Sequence, residues 1–266
     1  MSKPDTVLIS GGGISGLTLA SALCHHGIPV ELVERKTELA DDGGVGLTLV
    51  GNALRALHSI GLARDLITVG MPADHILIAT PEGRVVSQAP TSGPWGEGIP
   101  GHCSIARSAL HRVLVESARS RGTLIRTGVT IRGTSPMGAG VDVHFSDGRS
   151  GHYRLCVAAE GLFSAARERL LPGVRPVHSG QGSWRACVPR PKDLATTQIH
   201  FGGRYGVVGI CPISDQDAYL YIVESADEQH REEESRLHLT MRERLEGHYG
   251  GHVAELIRHL QKLGRR

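Results

Sequence analysis

The chain has 266 residues, of which 40% are hydrophobic and 21% are charged, so it is long and apolar enough to bury a substantial core. Its formal net charge of only +2 gives no case for a nucleic-acid partner, for which a basic stripe is the usual footprint, and no apolar run approaches the roughly 20 residues of a membrane-spanning helix. The five cysteines are widely spaced and odd in number, which argues against a disulfide framework or a zinc site and predicts a cytoplasmic protein.

The N-terminal residues predict one βαβ unit. Residues 6–10 form a short buried strand, and after a glycine turn residues 15–26 have the apolar spacing of a helix, which ends at Gly27. Val30–Glu34 is a second buried strand. Strand, turn, helix and strand together occupy about 30 residues, the size of one βαβ unit.

The rest of the chain predicts a mixture of helices and strands, and then a run of strands. The predicted elements are a helix at 52–62, a hairpin at 74–90, a Pro- and Gly-rich loop at 91–101, a helix at Arg107–Ser120, strands within 128–157 and 183–224, and a helical stretch at 228–262 that is interrupted at Gly250-Gly251. This order indicates two structural parts.

The glycine turn at residues 11–16 has the spacing Gly-x-Gly-x-x-Gly, which is typical of dinucleotide binding. Gly11 makes the tight turn, Gly13 lets a pyrophosphate approach the backbone, and Gly16 lets the helix pack closely against the strand. The alternative is a turn that merely joins a strand to a helix. Here the two strands, the helix and a terminal acidic residue all fall in register, which favours the nucleotide site.

Three more residues complete this predicted site. The N–H groups of Ile14 and Ser15 point along the positive end of the helix dipole toward the phosphates. Glu34 ends the second strand, where a carboxylate can accept hydrogen bonds from both hydroxyls of an adenosine ribose. FAD and NAD share the ADP half, so these residues do not distinguish the two cofactors.

Three further segments do distinguish them. They are residues 44–62, with Gly-Val-Gly-Leu-Thr-Leu and Asn-Ala-Leu-Arg-Ala-Leu; Arg107 with the leucines of its helix; and residues 157–164, Val-Ala-Ala-Glu-Gly-Leu-Phe-Ser, followed by Arg167. Together with the glycine motif they resemble the flavoprotein monooxygenases of the para-hydroxybenzoate hydroxylase type. The resemblance implies an FAD-dependent aromatic-ring hydroxylase of the α/β class, with a Rossmann-like FAD-binding domain and an inserted antiparallel β-sheet substrate domain.

The same resemblance implies roles for individual residues. Gly11, Gly13, Gly16 and Glu34 hold the ADP half of FAD, while Arg35 lies beside the ribose or adenine and Val129 meets the adenine. Gly46 and Thr48, in a loop at 44–48, lie near the flavin half. Arg107 contacts the pyrophosphate, and Glu160-Gly161 lies near FAD and the nicotinamide path. The family normally has Asp-Gly at this last position, so the glutamate adds one methylene.

The implied domains are a discontinuous FAD-binding domain at 1–73 and 101–178 and a substrate-binding part at 74–100 and 179–266. Family members continue to a Gly-Asp-Ala-Ala-His-type motif near the flavin ribityl chain, but this chain contains no Gly-Asp dipeptide. We therefore expect a C-terminally truncated substrate-binding part that holds FAD poorly. The residues expected near an uncovered edge are Leu256, Ile257, Leu260 and Leu263.

On the substrate side, Pro212, Tyr219 and Tyr221 match the family's Pro-turn-Tyr pattern. Tyrosines two residues apart share one face of a strand. Tyr219 is the candidate catalytic residue, since its phenol could hydrogen-bond a phenolic substrate; the alternative is a tyrosine that covers the core. Trp184-Arg185 and His200 are weaker candidates.

Two histidines four residues apart, His248 and His252, have a spacing that could seat a metal on a helix, and Glu255 follows them. Gly250-Gly251 lies between them and argues against a stiff helix. We interpret them as solvated surface histidines and predict no metal site.

The resemblance implies a monooxygenase that uses FAD, NADH or NADPH, and O₂ to hydroxylate a small aromatic or heteroaromatic substrate. One alternative is another FAD-dependent oxidoreductase of the same superfamily, although the halogenase motif Trp-x-Trp-x-Ile-Pro is absent. The other is a truncated or degenerate FAD- or nucleotide-binding protein without monooxygenase activity.

Overall fold

The computed structural model describes residues 5–39, 45–227 and 232–263. Within them the strands are β1 (Val7–Ser10), β2 (Val30–Glu34), β3 (Gly46–Val50), β4 (Met71–Ala73), β5 (His75–Ala79), β6 (Val85–Pro90), β7 (His102–Ala106), β8 (Leu124–Thr127), β9 (Ile131–Met137), β10 (Gly140–Phe145), β11 (Ser150–Tyr153), β12 (Leu155–Ala158), β13 (Gln181–Pro189), β14 (Gln198–Gly203), β15 (Gly206–Pro212) and β16 (Asp217–Ser225). The helices are α1 (Ile14–His25), α2 (Gly51–Ser59), α3 (Ala63–Val69), α4 (Arg107–Ser120), α5 (Ala165–Leu170), α6 (Leu237–Leu245) and α7 (Gly251–Leu263).

The chain divides into two compact units, each made of two separate stretches. Unit 1 comprises residues 1–42 and 110–177, and unit 2 comprises residues 43–109 and 178–266. None of the helices in the described part of the chain combines the length and the apolar character needed to cross a bilayer. Residues 43–73 and 101–109 group with unit 2, although the sequence assigns them to the FAD-binding domain; the functional roles of those domains remain predictions.

Unit 1 is built on a four-stranded parallel sheet with the order β12-β1-β2-β8. All four residues of β1 are buried, as expected for a short apolar strand inside a parallel sheet. Helix α1 connects β1 to β2 and contacts both strands. This is the predicted βαβ unit, so the predicted α/β fold class is confirmed.

A second, antiparallel sheet of unit 1 has the order β11-β10-β9. Its side chains Val143 and Phe145 join Leu8 and Val33 of the parallel sheet in one buried cluster. The two sheets of unit 1 therefore share a core, which fixes the end of β2 beside the start of β9.

Unit 2 contains a six-stranded sheet with the order β13-β16-β15-β14-β5-β6 and a three-stranded sheet with the order β3-β7-β4. The six-stranded sheet is antiparallel except where β14 pairs with β5. The predicted hairpin at 74–90 is its β5–β6 pair, and the predicted strands at 183–224 are β13 to β16. The expected antiparallel sheet is thus present.

Alternate residues of β13 and β16 face opposite sides of this sheet, as strand geometry requires. On one side, Trp184 and Ala186 of β13 and Leu220 and Ile222 of β16 pack in a buried cluster with side chains of α6 and α7. Tyr219 and its odd-numbered neighbours in β16 face the other side, where they line a cavity. The two helices therefore cover only one face of the sheet.

The break between α6 and α7 has a packing reason. The N–H group of Gly250 donates a hydrogen bond to the carbonyl of Pro81, at the tip of the β5–β6 hairpin. A Cβ atom on Gly83 would lie 2.7 Å from the backbone nitrogen of Gly251. The glycines thus allow a hairpin tip and a helix start to touch backbone to backbone.

Three expectations from the sequence need correction. The helix expected at 52–62 is α2, but it ends at Ser59 because Gly61 adopts a φ of 74°, and the separate helix α3 begins at Ala63. The expected loop at 44–48 includes the start of β3, which pairs with β7; Gly44 lies outside the described residues. The side chains of Leu256, Ile257 and Leu260 are not at an uncovered edge, since they are buried in the cluster beneath α6 and α7.

Candidate functional site

The glycine turn of unit 1 has three glycines in three different environments. Gly11 has a φ of 116°, and a Cβ atom there would strike the carbonyl oxygen of Ala159. A Cβ atom on Gly16 would strike the carbonyl oxygen of Gly11. A Cβ atom on Gly13 would meet nothing within 4 Å, so this residue presents bare backbone to open space, as a pyrophosphate requires.

Glu34 closes one side of this turn. Its Oε2 atom accepts a hydrogen bond of 2.6 Å from the N–H group of Gly12, and its Oε1 atom accepts one of 2.9 Å from the N–H group of Lys36. The carboxylate therefore lies at the glycine turn, where the sequence places the ribose of the nucleotide.

A buried histidine fixes the other side of the turn. His111 of α4 bonds through Nε2 to the carbonyl oxygen of Gly12 at 2.9 Å. A carbonyl only accepts hydrogen bonds, so the proton of this ring lies on Nε2. Sequence reasoning missed His111, and the one available signal was its place on the buried face of a helix that begins at Arg107.

Glu160 ties the end of β1 to the start of α5. Its carboxylate accepts hydrogen bonds from the hydroxyls of Ser10 at 2.7 Å and Ser164 at 2.9 Å, and from the N–H group of Ala166 at 2.9 Å. Burial works to raise the pKa of Glu160, but these three hydrogen bonds outweigh it and the pKa is lowered. The extra methylene relative to aspartate is what lets one carboxylate span the two elements.

A cavity of about 470 Å³ lies beside the glycine turn within unit 1. Of the predicted cofactor residues, those that line it are Gly11, Gly13, Glu34, Arg35, Val129, Glu160 and Gly161. Ile14, Ser15 and Gly16 form the first turn of α1 directly behind it. The bare backbone at Gly13 and the carboxylate of Glu34 fit the ADP half of FAD. The contact of each residue with the cofactor stays a prediction.

Replacing Glu34 with alanine is expected to weaken FAD binding about 10- to 150-fold, the equivalent of a charged hydrogen bond worth roughly 1.5–3 kcal/mol. Quenching of flavin fluorescence on titration measures the affinity. Glu38→Ala is a matched control, because that glutamate is exposed and does not line the cavity. Equal affinities for the Glu34 variant and the unaltered chain would remove Glu34 from the site.

Unit 2 has a cavity of its own, of about 620 Å³. Tyr219 and Tyr221 line it with ring centroids 5.2 Å apart and ring planes tilted by 32°. Burial raises the pKa of both phenols, so both are neutral at physiological pH. Arg185 of β13 also lines this cavity, whereas Trp184 faces the opposite side of the sheet. The predicted shared face of the two tyrosines is confirmed; a catalytic role of Tyr219 stays a prediction.

A row of hydroxyls joins the two sheets of unit 2 at this cavity. Thr48 Oγ1 and Ser104 Oγ are 3.0 Å apart, and Ser104 Oγ and Thr197 Oγ1 are 3.3 Å apart. Gly46 lies beside them, where a Cβ atom would come within 3.0 Å of Tyr219. Gly46 and Thr48, predicted near the flavin half, thus line the aromatic cavity of unit 2.

The remaining candidates lie elsewhere. The N–H group of Arg107 donates to the carbonyl of Val45, and its cofactor contact stays a prediction. His200 is fully buried, with Nδ1 2.9 Å from the carbonyl oxygen of Thr80. His248 is exposed as expected, but His252 is half-buried and bonds to Gln198 and Asp193 at 3.0 Å each.

A family model described as FAD binding domain matches residues 5–260. The chain belongs to this FAD-binding domain family. Its cofactor is therefore FAD, and the resemblance to flavin-dependent aromatic hydroxylases that the sequence predicts is confirmed.

Named relatives of this FAD-binding domain chain include two enzymes that act on ring compounds by their names. The 2-heptyl-3-hydroxy-4(1H)-quinolone synthase of Pseudomonas aeruginosa is 33% identical over 261 residues, which cover 95% of this chain and 66% of the relative. The aurachin C monooxygenase/isomerase of Stigmatella aurantiaca is 32% identical over 227 residues, which cover 84% of this chain and 58% of the relative. The chain thus spans two thirds or less of the length of these relatives.

Solved structures show the same fold. HpxO of Klebsiella pneumoniae, complexed with FAD and uric acid, matches with a TM-score of 0.79 at 23% identity, over 95% of this chain and 64% of that one. At this identity the likeness establishes the fold of the FAD-binding domain chain and nothing finer.

Proposed function

We propose that this chain binds FAD and a small aromatic or heteroaromatic substrate in an FAD-dependent monooxygenase that uses NADH or NADPH and O₂. The observation that carries the proposal is the cavity of unit 2, whose walls carry the two neighbouring tyrosines, Arg185 and the hydroxyl-bearing residues Thr48 and Thr197. Two relatives named as a quinolone synthase and an aurachin C monooxygenase support a heteroaromatic ring. The five free cysteines fit a reducing compartment such as the cytoplasm.

FAD, when bound, supplies the transfer of electrons from the nicotinamide and the activation of oxygen. The residues of this chain have separate tasks. Gly13, with Ile14 and Ser15 behind it, offers backbone N–H groups to the phosphates, and Glu34 takes the ribose. The apolar walls of the unit 2 cavity exclude water, and Tyr219 and Tyr221 hold the ring by stacking, with a phenol available to a ring substituent.

The test uses the purified full chain. Heat denaturation is expected to release FAD, and NADH or NADPH oxidation with oxygen consumption is expected to rise when phenols or N-heterocycles are added. Tight NAD binding with no released flavin contradicts the cofactor assignment. Stoichiometric FAD without stimulation by any member of a broad panel contradicts the monooxygenase proposal and supports a flavin-binding protein without that activity.

A further inference from the structure

The loop between β6 and β7, residues 91–101, is closed at its base. The N–H group of Thr91 donates to the main-chain carbonyl of Asp74 at 2.8 Å, and the N–H group of Gly101 donates to Oδ1 of the same aspartate at 2.8 Å. A Cβ atom on Gly101 would lie 2.5 Å from the carbonyl carbon of Thr91, so the two ends of the loop touch backbone to backbone. The segment is therefore an Ω-loop whose ends are fixed.

Trp95, in the middle of this loop, is turned toward the cavity of unit 2. Its neighbours on both sides are exposed, whereas Trp95 is half-buried and lines the cavity. Its Nε1 atom donates a hydrogen bond of 3.1 Å to the carbonyl oxygen of Thr91. A Cβ atom on Gly51 would strike Nε1 of the indole, and one on Gly93 would come within 2.8 Å of its Cε2 atom. Two glycines and a carbonyl thus form a slot that holds this side chain in the cavity wall.

Strand β3 runs from the tyrosines of the cavity to the indole. At its start, a Cβ atom on Gly46 would lie 3.0 Å from the Cβ atom of Tyr219. Its last residue, Val50, lines the cavity and is followed by Gly51, which contacts Trp95. A strand rises about 3.3 Å per residue, so Gly46 and Val50 are about 13 Å apart. The cavity is therefore elongated, with Tyr219 near one end and Trp95 near the other.

The six-stranded sheet gives the same length independently. Ile76 of β5 lines the cavity, and β5 is three strand spacings from β16, which carries Tyr219 and Tyr221. At about 4.8 Å per spacing, this distance is about 14 Å. A cavity of about 620 Å³ is in the size range of sites for drug-sized ligands. A single ring beside the two tyrosines would therefore leave the other end of the cavity unfilled.

The two ends differ in charge. The tyrosine end, at Tyr219 and Tyr221, has Arg185, which is paired with Tyr221 across the sheet. The tryptophan end is formed by Trp95 with Val50 and Ile76, three apolar side chains. Among the residues that line the cavity, all of them described, Arg185 is the one side chain of the Asp, Glu, Lys and Arg types. A charged group at the tryptophan end would thus lose its water and gain no counter-ion.

Polar side chains at the tryptophan end already have partners. Thr91 Oγ1 is 3.0 Å from Nδ1 of His102, the residue of β7 that pairs with Val50. Asn52 Oδ1 accepts the N–H group of Ala53 at 2.8 Å. What this end offers a ligand is mainly the apolar surface of an indole and two aliphatic side chains, which favours a hydrocarbon group.

We propose that Trp95 determines the choice of substrate in this cavity, by packing against an uncharged alkyl tail of the aromatic substrate while the reacting ring lies at the tyrosine end. Trp95 acts through contact and position, and no bond forms or breaks there. Gly46 and Thr48, which are predicted near the flavin half of FAD, lie at the tyrosine end, so this orientation brings the ring and not the tail to the flavin. The inference rests on the proposed function and names the substrate class as an aromatic ring with an apolar tail.

The first experiment measures the binding of phenol, 4-ethylphenol, 4-butylphenol and 4-heptylphenol to the full chain, supplied with FAD, by isothermal titration calorimetry. We expect affinity to rise about threefold to fourfold per methylene, the equivalent of about 0.8 kcal/mol. The probe 7-(4-hydroxyphenyl)heptanoate, whose tail ends in a carboxylate, should lose most of this gain. Affinity that does not rise with tail length, tighter binding of the carboxylate probe, or no binding of any probe overturns the proposal.

The second experiment repeats the titrations on variants. Trp95→Ala should weaken 4-heptylphenol by about tenfold or more, as expected for truncating a tryptophan contact, and leave phenol within threefold. Trp95→Phe should restore most of the affinity, because it keeps an apolar ring. Gly51→Ala should reproduce Trp95→Ala, since its methyl group takes the space of the indole Nε1 atom. Equal losses for phenol and 4-heptylphenol would mean that the indole only supports the loop, and no loss for either would remove it from the site; both overturn the proposal.

Trp184→Phe is the matched control. Trp184 is the other tryptophan of the chain and faces the core under the helices on the opposite side of the sheet. Its replacement should lower stability and leave the dependence of affinity on tail length in place; loss of that dependence overturns the proposal. The titrations need neither reductant nor oxygen. An inactive chain with the tail-length dependence therefore contradicts the proposed function alone, whereas an active chain without it contradicts the inference alone.

Discussion

Gly16→Ala is expected to destabilise unit 1 severely, whereas Gly13→Ala is expected to leave the fold intact and to remove most of the affinity that the unaltered chain has for FAD. At Gly16 a Cβ atom collides with the carbonyl oxygen of Gly11, a backbone atom that cannot move without opening the turn. Overpacking of this kind costs about 1–3 kcal/mol and occasionally more. At Gly13 the backbone has a φ of −78° and a Cβ atom meets nothing within 4 Å. The methyl group would occupy the space that the pyrophosphate needs, while the loss of a glycine cap costs the helix only about 1 kcal/mol.

Urea unfolding and flavin fluorescence together separate these two effects. Gly133→Ala is the control, because a Cβ atom there also meets nothing within 4 Å and Gly133 does not line the nucleotide cavity. The control should match the unaltered chain in FAD affinity. If Gly13→Ala binds FAD as tightly as the control does, the pyrophosphate does not pass over this residue.

Glu160→Ala is expected to lower the free energy of unfolding by about 2–3 kcal/mol, because a charged hydrogen bond is worth roughly 1.5–3 kcal/mol and this half-buried carboxylate accepts three. Glu160→Asp, which restores the residue typical of the family, is expected to cost about half as much. The shorter side chain cannot reach Ser10 and the N–H group of Ala166 together.

The effect of Glu160 should depend on pH. Its pKa in the folded chain is lowered from the ordinary value of 4.5, so the carboxylate contributes stability above that value and loses it as the pH falls through the lowered pKa. The difference in unfolding free energy between the unaltered chain and Glu160→Ala should therefore shrink as the solution is acidified below about pH 4. A difference that does not change with pH would mean that the carboxylate acts by packing alone.

The parts of this molecule that local sequence determines were predictable. β2 and α4 have the predicted bounds, and residues 11–16 line or support one cavity with Glu34, because strand, turn and helix follow each other within one βαβ unit. The end of α2 before Gly61 and the strand at Gly46–Val50 were not predicted. The strand, β3, exists only through its pairing with β7, which lies far along the chain.

Contacts between residues far apart in the sequence limit the prediction of the candidate sites in the same way. His111 bonds to Gly12, 99 positions away, and Glu160 bonds to Ser10, 150 positions away. No spacing in the sequence encodes such pairs, so contacts of this kind cannot be predicted before the fold is known.

The six-stranded sheet of unit 2 separates the residues that stabilise the fold from those that line the cavity. In β13 and β16 the even-numbered residues, such as Trp184 and Leu220, belong to the core under the helices, and the odd-numbered ones, such as Arg185 and Tyr221, face the cavity. Replacing a cavity residue such as Arg185 therefore leaves the cluster beneath α6 and α7 unchanged. The choice of bound molecule can thus be altered at alternate positions of two strands with little effect on the core that the positions between them build.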